Sequence, residues 1–274
     1  MRYIQLITLA ALMGTGCNGD TDTDTDIDTD TDTDTDTDIE EVKITIEGSA
    51  IDLLTQEAVA EGLCAAIIDP TPAVTGGESI TLGGGVIGAD GAFSVSDIPN
   101  EAPFGLFVSI TDCEDATEAT VWASLTGILA PQYQNLSNGD TLTVPAVSVS
   151  LTMLNDVLKP SLTAVGETKD IETLGAMIGW VNDASGTGVT GATVSCTGCG
   201  SFYYADTDAA DGLFSTGTEV NAATSAVAAG MFLLPEPITA QYAAEADNGM
   251  EWEPFLFGGS PGVATFAAFT AKAE

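Results

Sequence analysis

The chain has 274 residues, room for one or two domains, with 41 Asp and Glu against 5 Lys and Arg, no His, and a net charge of −36. It has no Lys/Arg footprint to lay on nucleic-acid phosphate, and its one Arg, Arg2, cannot supply clustered bidentate recognition of phosphate or carboxylate. The missing His removes the Ser-His and Cys-His nucleophile pairs and the usual zinc sites.

Met1-Arg2-Tyr3 carries one positive charge, Ile4 to Met13 is a short apolar run, and Gly14-Thr15-Gly16 leads to Cys17. This is the order of a secretory signal. At about ten residues the run is half of the roughly 20 that a bilayer span needs. Gly14-Thr15-Gly16-Cys17 resembles the lipobox of bacterial lipoproteins, with Gly14 standing where Leu is usual. The resemblance implies removal of residues 1–16, a diacylglycerol on the Cys17 sulfur, and attachment through that lipid to the outer membrane or cell surface. Secretion after cleavage near Gly16 is the alternative. Several acyl chains would anchor stably, where one alone binds reversibly.

Residues 17–41 read as a disordered tether. From Asp20 to Asp38 a Thr-Asp repeat is interrupted only by Ile27, so it has no apolar surface to offset the entropy of ordering. Like charges keep such a tract extended, and the 24 residues 18–41 could reach roughly 80 Å at ~3.3 Å per residue. Alternating Asp is like the opening of a calcium loop, but the Gly turn and the closing Glu are absent, which leaves weak, diffuse Ca²⁺ association and no cofactor. Thr-Asp tracts directly after a lipobox-like Cys are similar to the linkers of surface lipoproteins of myxobacteria.

From Val42 onward, short β-rich runs alternate with Gly, Pro, Asp and Asn. Val42 to Ile46, Leu63 to Ile68, Phe93 to Val95, Leu106 to Ile110, Thr120 to Leu125 and Leu142 to Val149 predict strands, with turns at Asp90-Gly91, Pro99-Asn100 and Asn138-Gly139. The pattern predicts an all-β fold of two small antiparallel β-sandwich modules, residues 42–150 and 175–274. Between them, Leu151, Leu154, Val157, Leu158, Leu162 and Val165 recur at helical spacing, so residues 151–174 predict a short helical linker, kinked at Pro160.

The second module opens with Gly175 to Asp183, then Gly188-Val189-Thr190-Gly191-Ala192-Thr193-Val194. Strand, Asp, Gly-containing turn and Val-x-Gly-Ala-x-Val resemble the carboxypeptidase regulatory-like domain, a transthyretin-like β-sandwich. Phe202 to Asp208 and Gly230 to Pro235 fit its later half. In the first module, Ala89-Asp90-Gly91-Ala92-Phe93 with Ile98-Pro99 fits its signature turn more loosely. The resemblance implies a fold and says little about activity.

Cys64, Cys113, Cys196 and Cys199 are an even number in an exported chain and read as disulfides. Of three pairings, Cys64–Cys113 and Cys196–Cys199 let each module close by itself. Cys196-Thr197-Gly198-Cys199 as a redox pair would need a helix to follow, and Gly198 and Gly200 argue against one. Asp206, Asp208 and Asp211 are the compact carboxylate cluster of the folded part, a candidate calcium site or an exposed turn of Asx type. Trp252, Tyr203 and Tyr204, with Glu251 and Glu253 beside Trp252, offer a sugar-binding aromatic surface as against ordinary core aromatics. The reading is a non-enzymatic, lipid-anchored surface protein that meets another protein or a glycan. The alternatives are a carbohydrate-binding lipoprotein and a calcium-stabilised adhesion module.

Overall fold

The computed structural model describes residues 41–74, 76–114, 116–205, 213–215 and 230–272. Cys17, the Thr-Asp tract and Asp206, Asp208 and Asp211 lie outside the described residues.

In chain order the elements are β1 (Lys43–Asp52), β2 (Leu63–Asp69), α1 (Thr71–Val74), β3 (Ile80–Val86), β4 (Ala92–Pro99), β5 (Leu106–Asp112), β6 (Val121–Trp122), β7 (Ser124–Ile128) and β8 (Thr141–Ser150). A π turn, Met153–Leu158, then runs into α2 (Lys159–Ala164), and α3 (Ile171–Leu174) follows. The later strands are β9 (Ala176–Asn182), β10 (Thr193–Cys196), β11 (Tyr203–Ala205), β12 (Phe214–Ser215), β13 (Met231–Pro235), β14 (Ala240–Glu245), β15 (Phe255–Phe257) and β16 (Ala264–Thr270). The fold is all-β and of sandwich type.

The largest sheet among the described residues has nine strands, in the order β12-β11-β13-β9-β16-β7-β5-β2-β3. On one face its β7-β5-β2-β3 half packs against the four-stranded sheet β4-β1-β8-β6, around Ile44, Ile46, Ile67, Val108 and Ile110. The two sheets are also stitched by side chains. The Val147 N–H donates to Thr126 Oγ1 (3.0 Å) and the Val149 N–H to Ser124 Oγ (3.2 Å), which supplies partners for the β8 edge. On the opposite face the β11-β13-β9-β16 half is covered by β10-β14-β15, around Met177, Val181, Phe232, Tyr242 and Phe269.

Two features go beyond the sequence reading. Residues 151–174 do more than link. Met153, Leu154, Leu158, Leu162 and Ile171 are buried against Ile178, Leu233 and Phe266, so the segment is a layer on the second face of β9, β13 and β16. Those strands are therefore covered on both sides, which is why β9 and β13 read as continuous apolar runs instead of alternating ones. Pro160 sits in the first turn of α2. The turn before it widens, and the Lys159 N–H reaches back to the Leu154 carbonyl.

The second feature corrects the expectation of purely antiparallel sheets: β1 pairs parallel with β8, and β16 pairs parallel with both β7 and β9. β15 belongs to the other layer, so β16 cannot return by a hairpin. It enters between strands from the two halves instead, and the stretches 42–150 and 175–274 share one sheet. β3 is a further strand that the sequence pattern does not announce. Gly83, Gly84 and Gly85 leave no side chains to alternate, and a Cβ on Gly83 would lie 2.8 Å from Val95 Cγ1.

Candidate functional site

The aromatic surface expected from the sequence does not form. Trp252 is 7% exposed and its Nε1 donates to the Asn182 carbonyl at 2.8 Å. Tyr204 is buried on the same side of the sheet, its hydroxyl accepting from the Val194 N–H at 2.9 Å. Tyr203, one residue earlier in a strand, points to the opposite face, where its hydroxyl donates to Glu167 at 2.9 Å. Burial, then the Glu167 carboxylate, pushes the Tyr203 hydroxyl up to about 12. All three are core residues, with no open ring face to stack on a sugar. A sequence cannot tell a rim aromatic from a core one beside a turn, because both sit in the same local pattern.

Cys64 is bonded to Cys113 across neighbouring strands, with Cα atoms 5.1 Å apart. Cys196 is bonded to Cys199, with Cα atoms 5.6 Å apart. Cys196 ends β10 and the residues after it turn without starting a helix, so this bond closes a turn packed against the buried aromatics.

The carboxylates have two occupations. Among the described residues each lysine meets an acid: Lys43 with Glu41 (3.6 Å), Lys159 with Glu172, Lys169 with Glu236 (2.9 Å), and Lys272 with Glu253 (3.3 Å) and Glu251 (3.9 Å). These pairs are largely exposed and worth roughly 0–1 kcal/mol each. Several other acids close turns by accepting from backbone N–H groups and hydroxyls. Asp52 accepts from Leu54, Thr55 and Ser150, and Asp112 from Thr120 and Val121. Asp183 accepts from the Ser185 hydroxyl (2.7 Å) and the Thr187 N–H (2.9 Å). In a chain nearly without bases, turn dipoles take the place of countercharges.

These contacts set the acid response. The Ser185 hydroxyl, then the Thr187 N–H, holds Asp183 below the usual carboxylate range, and the Thr173 hydroxyl does the same for Asp170. Burial pushes Glu167 up, but the Lys169 N–H, the Tyr203 hydroxyl and the Thr168 N–H together bring it below its ordinary value. A carboxyl lowered on folding adds stability above its unfolded pKa and loses it as pH falls through the folded value. Protonation also relieves the chain's self-repulsion, which acts in the opposite sense. The readout is therefore a comparison: below about pH 4, thermal midpoints should fall less steeply for Asp183→Asn than for the parent. Equal acid-side slopes would contradict this.

An open notch of about 490 Å³ lies where the chain enters the fold, lined by Glu41, Lys43, Thr45, Ser96, Asp97 and Asn138. It is polar and shallow, and the Ser96 hydroxyl in it donates to Asp97 Oδ2 at 3.3 Å. A larger surface is the outer face of the β7-β5-β2-β3 half. Ala66, Ser109 and Leu125 form one row across β2, β5 and β7, and Ile68, Phe107 and Gly127 the next. All six are half-buried and uncharged. Ile68 and Leu125 belong to none of the three buried clusters. The covering sheet stops at β15, whose Phe257 ring rests on Phe107 (centroids 5.5 Å) and over Gly127, where a Cβ would lie 2.8 Å from that ring. The alternation in β2 and β5 marks these strands in the sequence, but not that one face has no covering strand among the described residues.

The chain matches no family model and no curated protein. Among solved structures it is similar to the Bacillus anthracis TIE protein (12% identity, TM-score 0.25), covering 85% of this chain and 35% of that one. It is similar also to the shaft pilin SpaA of Lactobacillus rhamnosus GG (10% identity, TM-score 0.24), covering 85% and 99%. Hydroxyquinol 1,2-dioxygenase of Pseudomonas putida DLL-E4 matches at 12% identity and TM-score 0.23, over 40% of this chain and 57% of that one. The chain thus spans about a third of the length of the first of these, and such likeness assigns no role to any residue here.

Proposed function

We propose that this protein is a non-enzymatic display module, anchored by lipid on Cys17, spaced from the membrane by the Thr-Asp tract, and meeting other molecules through its β-sandwich surfaces. The anchor and tract rest on the sequence. The observation that carries the reading is where the described chain enters and leaves the fold. β8 runs antiparallel to β7 and β1 runs with β8, whereas β16 runs with β7. The start of β1 and the end of β16 therefore lie at the same end of the sandwich. The opposite end, with the loops 53–62 and 258–263, is free of both. A module hung from one end presents the other end and its flanks. No helix among the described residues is long and apolar enough to cross a membrane.

The test is fractionation and intact mass of the natively expressed protein. The parent should sediment with membranes at the mass of a diacylated chain starting at Cys17. Cys17→Ser should appear in the soluble fraction with its first residues retained. A parent that is soluble, or whose mass begins at Met1, would sink the reading.

A further inference from the structure

Two independent features meet at the bare half of the nine-stranded sheet. The first is the floor, the rows Ala66–Ser109–Leu125 and Ile68–Phe107–Gly127, flat, uncharged and outside the buried clusters apart from Phe107. The second is an edge. In the covering sheet β10-β14-β15, β15 has one neighbour, β14, and its other side, toward the floor, carries no strand among the described residues. Leu256 on β15 is 44% exposed, and Val86 on β3, at the far border of the floor, is 66% exposed. The second layer of the sandwich is therefore unfinished, with free main-chain groups on one border and an apolar bed beside them.

We infer that this step is a docking site for an extended strand of another protein, which adds to the β15 edge and lays alternate apolar side chains on Ile68, Ser109, Leu125 and Ala66. Strand addition takes affinity from main-chain hydrogen bonds and specificity from alternate side-chain positions. Charge selects the occupant. The chain carries −36, and every lysine among the described residues is already paired, so a second copy would bring two like-charged surfaces together. A strand with no acidic residues, and lysine or arginine at its ends, complements a chain of this net charge. This inference rests on the display reading for its biological setting, but its test uses the purified full chain, so either can fail alone.

The probe is a fluorescent peptide of alternating valine and threonine with a lysine pair at each end, followed by anisotropy at physiological salt, where contacts to distant charges are screened beyond about 8 Å. Saturable binding is expected, weakened about tenfold or more by Ser109→Arg or by Ala66→Lys. Ser195→Arg, an exposed position on β10 with the same change of charge, should leave binding unchanged. Two floor variants are used so that one misfolded protein does not decide the matter, and each must melt as the parent does. Absent binding, equal weakening by Ser195→Arg, or indifference to both floor variants would overturn the inference. So would a dimer of the parent chain that Ser109→Arg dissolves, since the face would then belong to a second copy.

Discussion

Ending the chain after Gly262 should abolish the cooperative fold, although only the last strand and its tail are lost. β16 makes seven residue pairs with β9 and three with β7, and among the described residues it is the strand that joins the two halves of the nine-stranded sheet. It buries Ala264, Thr265, Phe266, Ala267 and Phe269. Truncating one buried Phe costs about 3–5 kcal/mol, and whole domains are stable by about 5–15 kcal/mol. Phe266 and Phe269 alone therefore approach that margin. The truncated protein would also expose two new strand edges, β7 and β9, as templates for aggregation. Near-UV circular dichroism and thermal melting read the outcome. A truncated chain that melts cooperatively within a few degrees of the parent would show that the halves are independent and that β16 is an accessory.

Leu158→Ala is the second large effect. In a solvated linker, this substitution would change stability by less than about 0.5 kcal/mol. Leu158 is instead fully buried, within the cluster that binds residues 151–174 to β9, β13 and β16. A cavity there should cost about 2–5 kcal/mol, a fall of roughly 5–15 °C in the thermal midpoint for a domain of this size. Asn155→Ala, on an exposed position of the same turn, serves as the control and should stay close to the parent. Equal behaviour of the two variants would return the segment to the status of a linker.

Much of this architecture can be read from local pattern. The alternation of Ile44 and Ile46, of Leu63, Ala65 and Ile67, and of Leu106, Val108 and Ile110 marks strands with one covered face, and those residues are buried. The helical spacing from Leu151 to Leu162 marks a helical piece with one apolar side, and that side is covered. Where the pattern is blank, so is the reading. Three glycines hide β3, and the small residues of β16, Ala-Thr-Phe-Ala-Ala-Phe-Thr, carry no period because both of its faces are covered.

Charge, strand-rich composition and turn positions follow from residues close together in the chain, since backbone sterics and side-chain period act over a few residues. Which strands become neighbours is settled over long distances: Trp122 donates to the Gly262 carbonyl 140 residues away, and β16 lies between strands from opposite halves. That pairing turned a linker into a core layer, took Trp252, Tyr203 and Tyr204 out of solvent, and left one half of a sheet with no covering strand among the described residues. A side chain's exposure depends on what folds over it, and local sequence holds no record of what that will be.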